Sequence, residues 1–168
     1  LQGYLHSGRD GLTVRVRTSD LLPRDAAGAD QGTATDEAEA WLTLKAPPPG
    51  SGGREPAAEA PLALSRLEFE YAIPAADAVA LLDLCSSQLV KVRHGLDLPG
   101  GDWVLDVFEA ANAPLVVAEV ELCSAYAAVP VPAWCVRELS GRHELSNAAL
   151  AQHPLRDWSE TERRALLG

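Results

Sequence analysis

The segment RLEFEY, residues 66–71, alternates charged and apolar side chains along its whole length. Successive side chains of a β-strand point to opposite faces, so this period of two predicts a strand with two unlike faces. The charged face consists of Arg66, Glu68 and Glu70, and the apolar face consists of Leu67, Phe69 and Tyr71. We therefore expect an antiparallel sheet whose apolar face lies against a core.

Five further segments place charged residues on one strand face in the same way. They are TVRVRT at 13–18, LTLK at 42–45, LVKVRH at 89–94, WVLDVF at 103–108 and LVVAEVEL at 115–122. The charged faces collect six cations, which are Arg15, Arg17, Lys45, Arg66, Lys91 and Arg93. They also collect five carboxylates, which are Glu68, Glu70, Asp106, Glu119 and Glu121. A half-exposed antiparallel sheet explains any single strand of this kind.

The set as a whole favours a site for a metal-bound polyphosphate. Arg and Lys bind phosphate oxygens, Arg as a two-pronged fork and Lys as a point charge. Carboxylates supply the oxygen ligands that divalent cations prefer. If the sheet curls closed with these faces inward, the charges line a water-filled tunnel, because pairing alone rarely offsets the cost of burying so many ions.

The remaining segments indicate few helices. Ala75–Cys85 has apolar residues at helical spacing, Ser146–Ala151 has a Ser cap, and residues 159–162 form a capping box. Leu21–Glu39 and Ala46–Pro61 are rich in Ala, Gly or Pro and predict loops. We expect an α+β fold, with its antiparallel strands in a barrel or a curled sheet.

Composition narrows the class of protein. The 168 residues suit one domain, expected over residues 1–158 with a short C-terminal helix at 159–168. The 14 basic and 24 acidic residues give a net charge of −10, which disfavours nucleic acid and anionic membranes as partners. No apolar run is long enough for a membrane span, and no secretory leader is visible. The three cysteines, Cys85, Cys123 and Cys135, lack CxxC spacing and suit a reducing, cytoplasmic setting.

The numbers of methionine and lysine residues lead to two further predictions. The sequence contains no methionine, even at position 1, which indicates a fragment without its original N-terminus. Among the 14 basic residues only Lys45 and Lys91 are lysines. A bias toward Arg leaves Lys where a compact ammonium group is needed, so we predict that Lys91 has a catalytic role beyond phosphate binding.

Seven motifs occur in the order that a known family shows. They are QGYL at 2–5, TVRVR at 13–17, LTLK at 42–45, SRLEFEYAIP at 65–74, KVRH at 91–94, LDVFEAANAPLVVAEVEL at 105–122, and PAWCVRELSG with LSNAALAQHP within 132–154. In these motifs the chain resembles the CYTH superfamily of triphosphate tunnel metalloenzymes, and most closely its small single-domain inorganic triphosphatases. The resemblance covers nearly the whole chain.

The resemblance implies an eight-stranded antiparallel β-barrel that forms a tunnel. It implies that the six cations named above bind a triphosphate and that the five carboxylates hold Mg²⁺ or Mn²⁺. Water would then displace the terminal phosphoryl group and give pyrophosphate and phosphate. Tyr4 matches a family tyrosine with a proton-accepting role, although a packed aromatic at a strand end explains it equally well.

Two departures from the family pattern leave alternatives open. The family's ExExK element is absent, so we expect the first strand to precede this chain. The family tyrosine after KxR is replaced by His94. A catalytic acid–base role is one explanation of His94, and a tolerated strand residue is the simpler one. Glu138 and Arg142 are secondary site candidates that surface charge also explains. A thiamine- or nucleoside-triphosphatase, an adenylyl cyclase, and a non-catalytic module that binds polyphosphate or an organic phosphate remain alternative functions, and the oligomeric state stays open.

Overall fold

The computed structural model describes residues 1–8, 11–19, 39–47, 66–122, 127 and 129–167. These residues form two compact units, the first within residues 1–90 and the second from Lys91 onward. The predicted loops over Leu21–Glu39 and Ala46–Pro61 fall almost entirely outside the described residues, as does Cys123. In the part of the chain that is described, no helix has the length and apolar content that crossing a membrane requires.

The first unit is a five-stranded antiparallel sheet with one helix. Its strands lie in the order β4-β3-β2-β1-β5. The elements are β1 (Gln2–Ser7), β2 (Thr13–Thr18), β3 (Ala40–Ala46), β4 (Leu67–Ala72), α1 (Ala75–Asp83) and β5 (Ser87–Leu89). The strand β4 covers residues 67–71 of the alternating segment and pairs with β3. The expectation that its apolar face lies against a core is wrong, since Leu67, Phe69 and Tyr71 are 40%, 49% and 56% exposed.

Helix α1 covers one face of this sheet and forms its core. Val16 of the central strand β2 is completely buried, and Ala78 and Leu82 of α1 pack against it. Gly3 of β1 allows the helix to approach closely, since a Cβ atom there would lie 2.8 Å from side-chain atoms of both Leu82 and Cys85. The alternation in β2 and β3 therefore turns their charged residues to the face opposite α1.

The second unit is a three-stranded antiparallel sheet followed by short helices. Its strands lie in the order β6-β7-β8. The elements are β6 (Lys91–Leu96), β7 (Asp102–Phe108), β8 (Val116–Glu121), α2 (Asn147–Gln152) and α3 (Glu160–Leu167), with 3₁₀ turns at Ala110–Asn112, His143–Leu145 and Leu155–Asp157. Ser146 caps α2 by accepting a hydrogen bond from the backbone N–H of Ala149.

A buried asparagine ties the C-terminal segment of this unit to the turn after β7. Asn112 is 2% exposed, and its Nδ2 donates to the carbonyl oxygen of Leu150 at 3.1 Å. Its Oδ1 accepts from the backbone N–H of Leu155 at 2.9 Å. Both polar ends of the side chain are thus satisfied within the unit, as a buried amide requires.

The structure confirms the α+β class and corrects several details. The expected strand at 89–94 is two strands, because Leu89 pairs with Gln2 in the first sheet while Lys91 pairs with Phe108 in the second. The strand β1 was not predicted. The eight described strands form two sheets of five and three, so the closed barrel is not confirmed.

Candidate functional site

The first unit carries a charged face on β2, β3 and β4, opposite α1. The pairing register sets Arg15 beside Thr43 and Thr43 beside Glu70. It also sets Lys45 beside Glu68. Residues directly opposite each other on neighbouring strands share a face. We call this surface the first charged face; it comprises Arg15, Arg17, Trp41, Thr43, Lys45, Glu68 and Glu70.

Each cation of the first charged face is paired with a carboxylate. The Nζ of Lys45 lies 2.9 Å from Oε2 of Glu68. The Nη2 of Arg17 donates to Oε1 of Glu70 at 3.1 Å. The Nη2 of Arg15 lies 3.5 Å from Oε2 of Glu70 and 3.9 Å from Oε1 of Glu68. The two glutamate side chains are 45% and 34% exposed. Pairs this open to water contribute only about 0–1 kcal/mol each, so ligands can replace them at little cost.

Two neutral residues hold this face in place, and the alternation of charges did not reveal them. Thr43 is completely buried; its hydroxyl accepts from Nη2 of Arg15 at 3.1 Å and donates to Oε2 of Glu70 at 2.8 Å. The ring of Trp41 lies under the guanidinium of Arg17, 4.4 Å from ring centre to Cζ. Both occupy the same β3 face as Lys45, so the period of two could have indicated them.

The first charged face also contains unused donors. The Nε atoms of Arg15 and Arg17 are buried and have no hydrogen-bond partner among the described residues. Buried N–H groups without a partner are uncommon in folded proteins.

The second unit carries the second charged face, which comprises Lys91, Arg93, Asp106 and Glu119 on β6–β8. Arg93 donates two hydrogen bonds to Asp106, from Nε to Oδ1 at 2.7 Å and from Nη2 to Oδ2 at 2.7 Å. Its Nη2 also donates to Oε2 of Glu119 at 2.8 Å. Paired bonds of this kind fix the orientation of the guanidinium plane.

Asp106 is the buried centre of the second charged face. Its side chain is 0% exposed. Burial alone raises the pKa of Asp106, but hydrogen bonds from Arg93 and Lys91 outweigh that effect and lower it. The hydrogen bond to Asp106 in turn raises the pKa of Arg93 further above its usual range. Asp106 is therefore ionised at neutral pH, and both of its oxygens are engaged by cations.

Lys91 is enclosed on three sides. Its side chain is 12% exposed, and its ammonium group forms an ion pair with Asp106. It donates to Oδ1 of Asn147, the first residue of α2, at 3.3 Å. The ring of Phe108 lies 5.5 Å from Nζ. Burial lowers the pKa of Lys91, while the hydrogen bond to Asp106 opposes that shift. Asn147 is a site residue that the sequence did not reveal, because only the packing of α2 brings it to β6.

Three further predicted site residues lie outside the ion pairs of these two faces. Arg66, just before β4, donates to the carbonyl oxygen of Gly11. Glu121 is exposed, pairs in register with Asp102, and has no cationic partner among the described residues. Tyr4 is 5% exposed, and its hydroxyl accepts from Nε2 of Gln2 at 3.2 Å. Both Tyr4 and Gln2 lie on β1, where Tyr4 pairs in register with Arg15.

The secondary candidates are exposed at the surface. His94 is exposed on the β6 face opposite Lys91 and Arg93. Glu138 is exposed. Arg142 donates from Nε to Oε1 of Glu144 at 2.7 Å. These positions agree with the simpler interpretation given for each of them from the sequence.

The carboxylates supply hard oxygen donors in pairs. Within the described residues, no three His, Cys, Asp or Glu side chains form a cluster that could hold a metal ion. Mg²⁺, however, is commonly bound by one or two carboxylates, with water and substrate phosphates as the other ligands. Glu68 with Glu70, and Glu119 with Glu121, fit that mode of binding.

Comparison with known proteins adds two relatives. The chain is 35% identical to an inorganic triphosphatase of Acetivibrio thermocellus over 161 aligned residues, and the alignment covers 95% of this chain and 83% of the relative. It is 32% identical to an inorganic triphosphatase of Nitrosomonas europaea over 155 aligned residues, and that alignment covers 89% of this chain and 82% of the relative. No protein-family model matches the chain, and no solved structure matches it.

Proposed function

This chain belongs to the family of inorganic triphosphatases, and we therefore propose that it hydrolyses inorganic triphosphate to pyrophosphate and phosphate. One observation supports this most directly: four of the five cations on the charged faces pair with partly exposed glutamates, and the fifth, Lys91, pairs with the buried Asp106. Such pairs can exchange partners when an anion and a metal ion bind together. The cations then contact phosphate oxygens, and the glutamates become available as metal ligands.

The cations bind and orient the substrate in this proposal. Arg15, Arg17 and Lys45 present a row of donors on the first charged face, with two guanidinium Nε atoms unused. Lys91 and Arg93 present two more on the second. Phosphoryl transfer requires little covalent chemistry from a protein, so catalysis depends on positioning and on neutralising the charge of the phosphate chain.

The carboxylates divide into two kinds by their burial. Glu68, Glu70, Glu119 and Glu121 reach solvent, and we propose that they are the residues that hold Mg²⁺ or Mn²⁺. Such a metal, when bound, neutralises phosphate oxygens and lowers the pKa of a bound water. Asp106 is buried between Lys91 and Arg93, so its first role is to hold these two cations side by side. The metal-binding role that the resemblance implies for Asp106 stays a prediction.

Two residues are proposed to transfer protons during the reaction. Lys91 is desolvated and its pKa is lowered, so a proton on its ammonium group is held less tightly than in water. Tyr4 lies on β1 beside Arg15. The proton-accepting role of Tyr4 follows from the resemblance, and the hydrogen bond from Gln2 orients its hydroxyl group.

Several finer expectations remain part of the proposal. They are membership of the CYTH superfamily, a closed eight-stranded barrel, and a cytoplasmic location, which the resemblance and the cysteine pattern support. A small polyphosphate is the expected ligand, and neither nucleic acid nor a membrane is expected as a partner, in agreement with the net charge of −10.

The decisive experiment measures both products from tripolyphosphate with Mg²⁺ or Mn²⁺. We expect equal amounts of pyrophosphate and phosphate, with slower turnover of ATP and thiamine triphosphate. Faster turnover of either organic triphosphate would instead favour that substrate, and conversion of ATP to a cyclic nucleotide would indicate a cyclase. Tight binding of tripolyphosphate without turnover would indicate a non-catalytic module.

A further inference from the structure

Thr43 links a predicted substrate-binding cation to a predicted metal-binding carboxylate on the first charged face. Its neighbours across the sheet are Arg15 on β2 and Glu70 on β4. The hydroxyl oxygen accepts from Nη2 of Arg15 at 3.1 Å, and the hydroxyl proton goes to Oε2 of Glu70 at 2.8 Å. The single donor and an acceptor site of the hydroxyl are therefore both used by charged groups.

The direct contact between Arg15 and Glu70 is weaker than the contacts through Thr43. Their closest approach is 3.5 Å, beyond the usual range of an N–H···O hydrogen bond. Hydrogen bonds to charged partners are shorter and stronger than neutral ones. The distance between guanidinium and carboxylate is thus set mainly by the hydroxyl that lies between them.

The link can persist when ligands bind. A guanidinium group has five N–H donors and a carboxylate has about four lone-pair sites, so Thr43 occupies only one of each. Arg15 keeps other guanidinium donors for phosphate, and Glu70 keeps sites for a metal ion. Because Thr43 is completely buried, water cannot take over either bond.

We propose that Thr43 is a positioning residue that fixes the spacing between Arg15 and Glu70, and so couples phosphate binding to metal binding on the first charged face. The proposal rests on the proposed function. It concerns how the site is held and assigns no bond-making step to Thr43.

Two substitutions separate the hydroxyl from the shape of the side chain. Thr43→Val keeps the shape and removes the hydroxyl, whereas Thr43→Ser keeps the hydroxyl and removes a methyl group. Thr18→Val is the matched control, since Thr18 is 3% exposed in β2 and lies on the opposite face of the same sheet. Melting temperatures of all variants show whether each one folds.

We expect Thr43→Val to weaken calorimetric binding of tripolyphosphate without metal by about 10- to 100-fold, which is the usual effect of losing a hydrogen bond to a charged group. The kcat/KM for tripolyphosphate should fall by at least as much, and the Mn²⁺ concentration for half-maximal rate should rise. Thr43→Ser should stay within about threefold of the parent, and Thr18→Val should match the parent, because neither removes the link.

The outcomes distinguish this proposal from the proposed function. If the parent binds and hydrolyses tripolyphosphate but Thr43→Val does so equally well, the positioning role is wrong and the function stands. If Val and Ser variants are impaired equally, packing of the methyl group explains the effect and the role is again wrong. A parent that neither binds nor hydrolyses tripolyphosphate overturns both proposals. Binding without turnover, with loss in Val and rescue by Ser, supports the positioning role while it overturns the hydrolytic function.

Discussion

Lys91 has close neighbours on several sides, which leave little room for a larger side chain. Its ammonium group lies between Asp106, Asn147 and the ring of Phe108, with the side chain 12% exposed. A guanidinium is larger and planar, and it would have to displace one of these neighbours. The scarcity of lysine in the sequence and the enclosure in the structure therefore point to the same requirement for a compact charge.

We predict that Lys91→Arg lowers kcat for tripolyphosphate by about 100-fold or more, since a misplaced charge loses contacts made in the transition state. The reciprocal variant Arg93→Lys should mainly raise KM, because Arg93 is 40% exposed and a lysine cannot form both of its hydrogen bonds to Asp106. Phosphate release at saturating Mg²⁺ gives both constants, and melting temperatures exclude misfolding. A fully active Lys91→Arg enzyme would show that Lys91 is only one of several interchangeable cations.

The lowered pKa of Asp106 makes a prediction about stability and pH. An acid whose pKa is depressed in the folded state stabilises the fold above its unfolded pKa, and the contribution is lost as the pH falls through the folded value. In metal-free protein, Asp106→Asn should lower the free energy of unfolding at pH 7 by about 2–4 kcal/mol, because Lys91 and Arg93 lose their shared counter-ion. Urea unfolding should show this difference beginning to shrink below about pH 4, where the unfolded chain takes up a proton while the folded carboxyl is still ionised, and disappearing only below the lowered folded pKa. A difference that is constant from pH 7 to pH 3 would contradict the assignment.

At the scale of elements, helix α1 packs closely against β1. A Cβ atom on Gly3 would lie 2.8–2.9 Å from atoms of Leu82 and Cys85, a distance that real Cβ atoms do not show. We predict that Gly3→Ala destabilises the protein by about 1–3 kcal/mol through this overlap. Gly95 of β6 is the control, since a Cβ there meets nothing within 4 Å. Chemical unfolding should show a large loss in the free energy of unfolding for Gly3→Ala and little change for Gly95→Ala. Equal losses in the two variants would show that overlap with Leu82 and Cys85 is not the cause.

The elements that the sequence predicted well are those whose signal is local. The segment predicted from its alternation, residues 103–108, lies within β7, Asp102–Phe108. The capping box before α3 is present as two reciprocal bonds, from the N–H of Ser159 to Oε2 of Glu162 and from the N–H of Glu162 to Oγ of Ser159. Both patterns depend only on residues within a few positions of each other.

The elements that the sequence missed depend on distant partners. The strand β1 lacks charge alternation, and its register shifts between Tyr4 and His6. The division between β5 and β6 at Val90 is set by which strands each one pairs with, and no local pattern records that choice. The same limit applies to the site: alternation located the charged residues, but Thr43 and Asn147 are neutral and act through contacts formed only in the folded chain.

At the scale of the whole molecule, a net charge of −10 opposes the binding of a polyanion. Each charged face is nearly neutral by itself, since glutamates and Asp106 offset its cations. Without a metal ion, triphosphate must compete with these carboxylates for the cations. The carboxylates then stay close to the negative charge of the phosphate chain. A divalent cation removes that repulsion by binding the same carboxylates, so we expect each ligand to increase the affinity for the other, by thermodynamic linkage.

If the glutamates exchange a cation for a metal ion when ligands bind, one substitution should have opposite effects on tripolyphosphate binding with and without metal. Glu68→Gln removes the carboxylate that pairs with Lys45, so metal-free binding of tripolyphosphate should become tighter by about 3- to 10-fold, within the usual range for partly exposed charges. The gain in affinity on adding Mn²⁺ should shrink, because an amide is a poorer metal ligand, and turnover should fall. The control Glu160→Gln makes the same change in net charge on α3, far along the chain in an exposed pair with Arg164, and should alter neither quantity. Calorimetry with and without Mn²⁺ measures both effects. Weaker binding of tripolyphosphate to metal-free Glu68→Gln would show that Glu68 orders Lys45 for the substrate and does not compete with it.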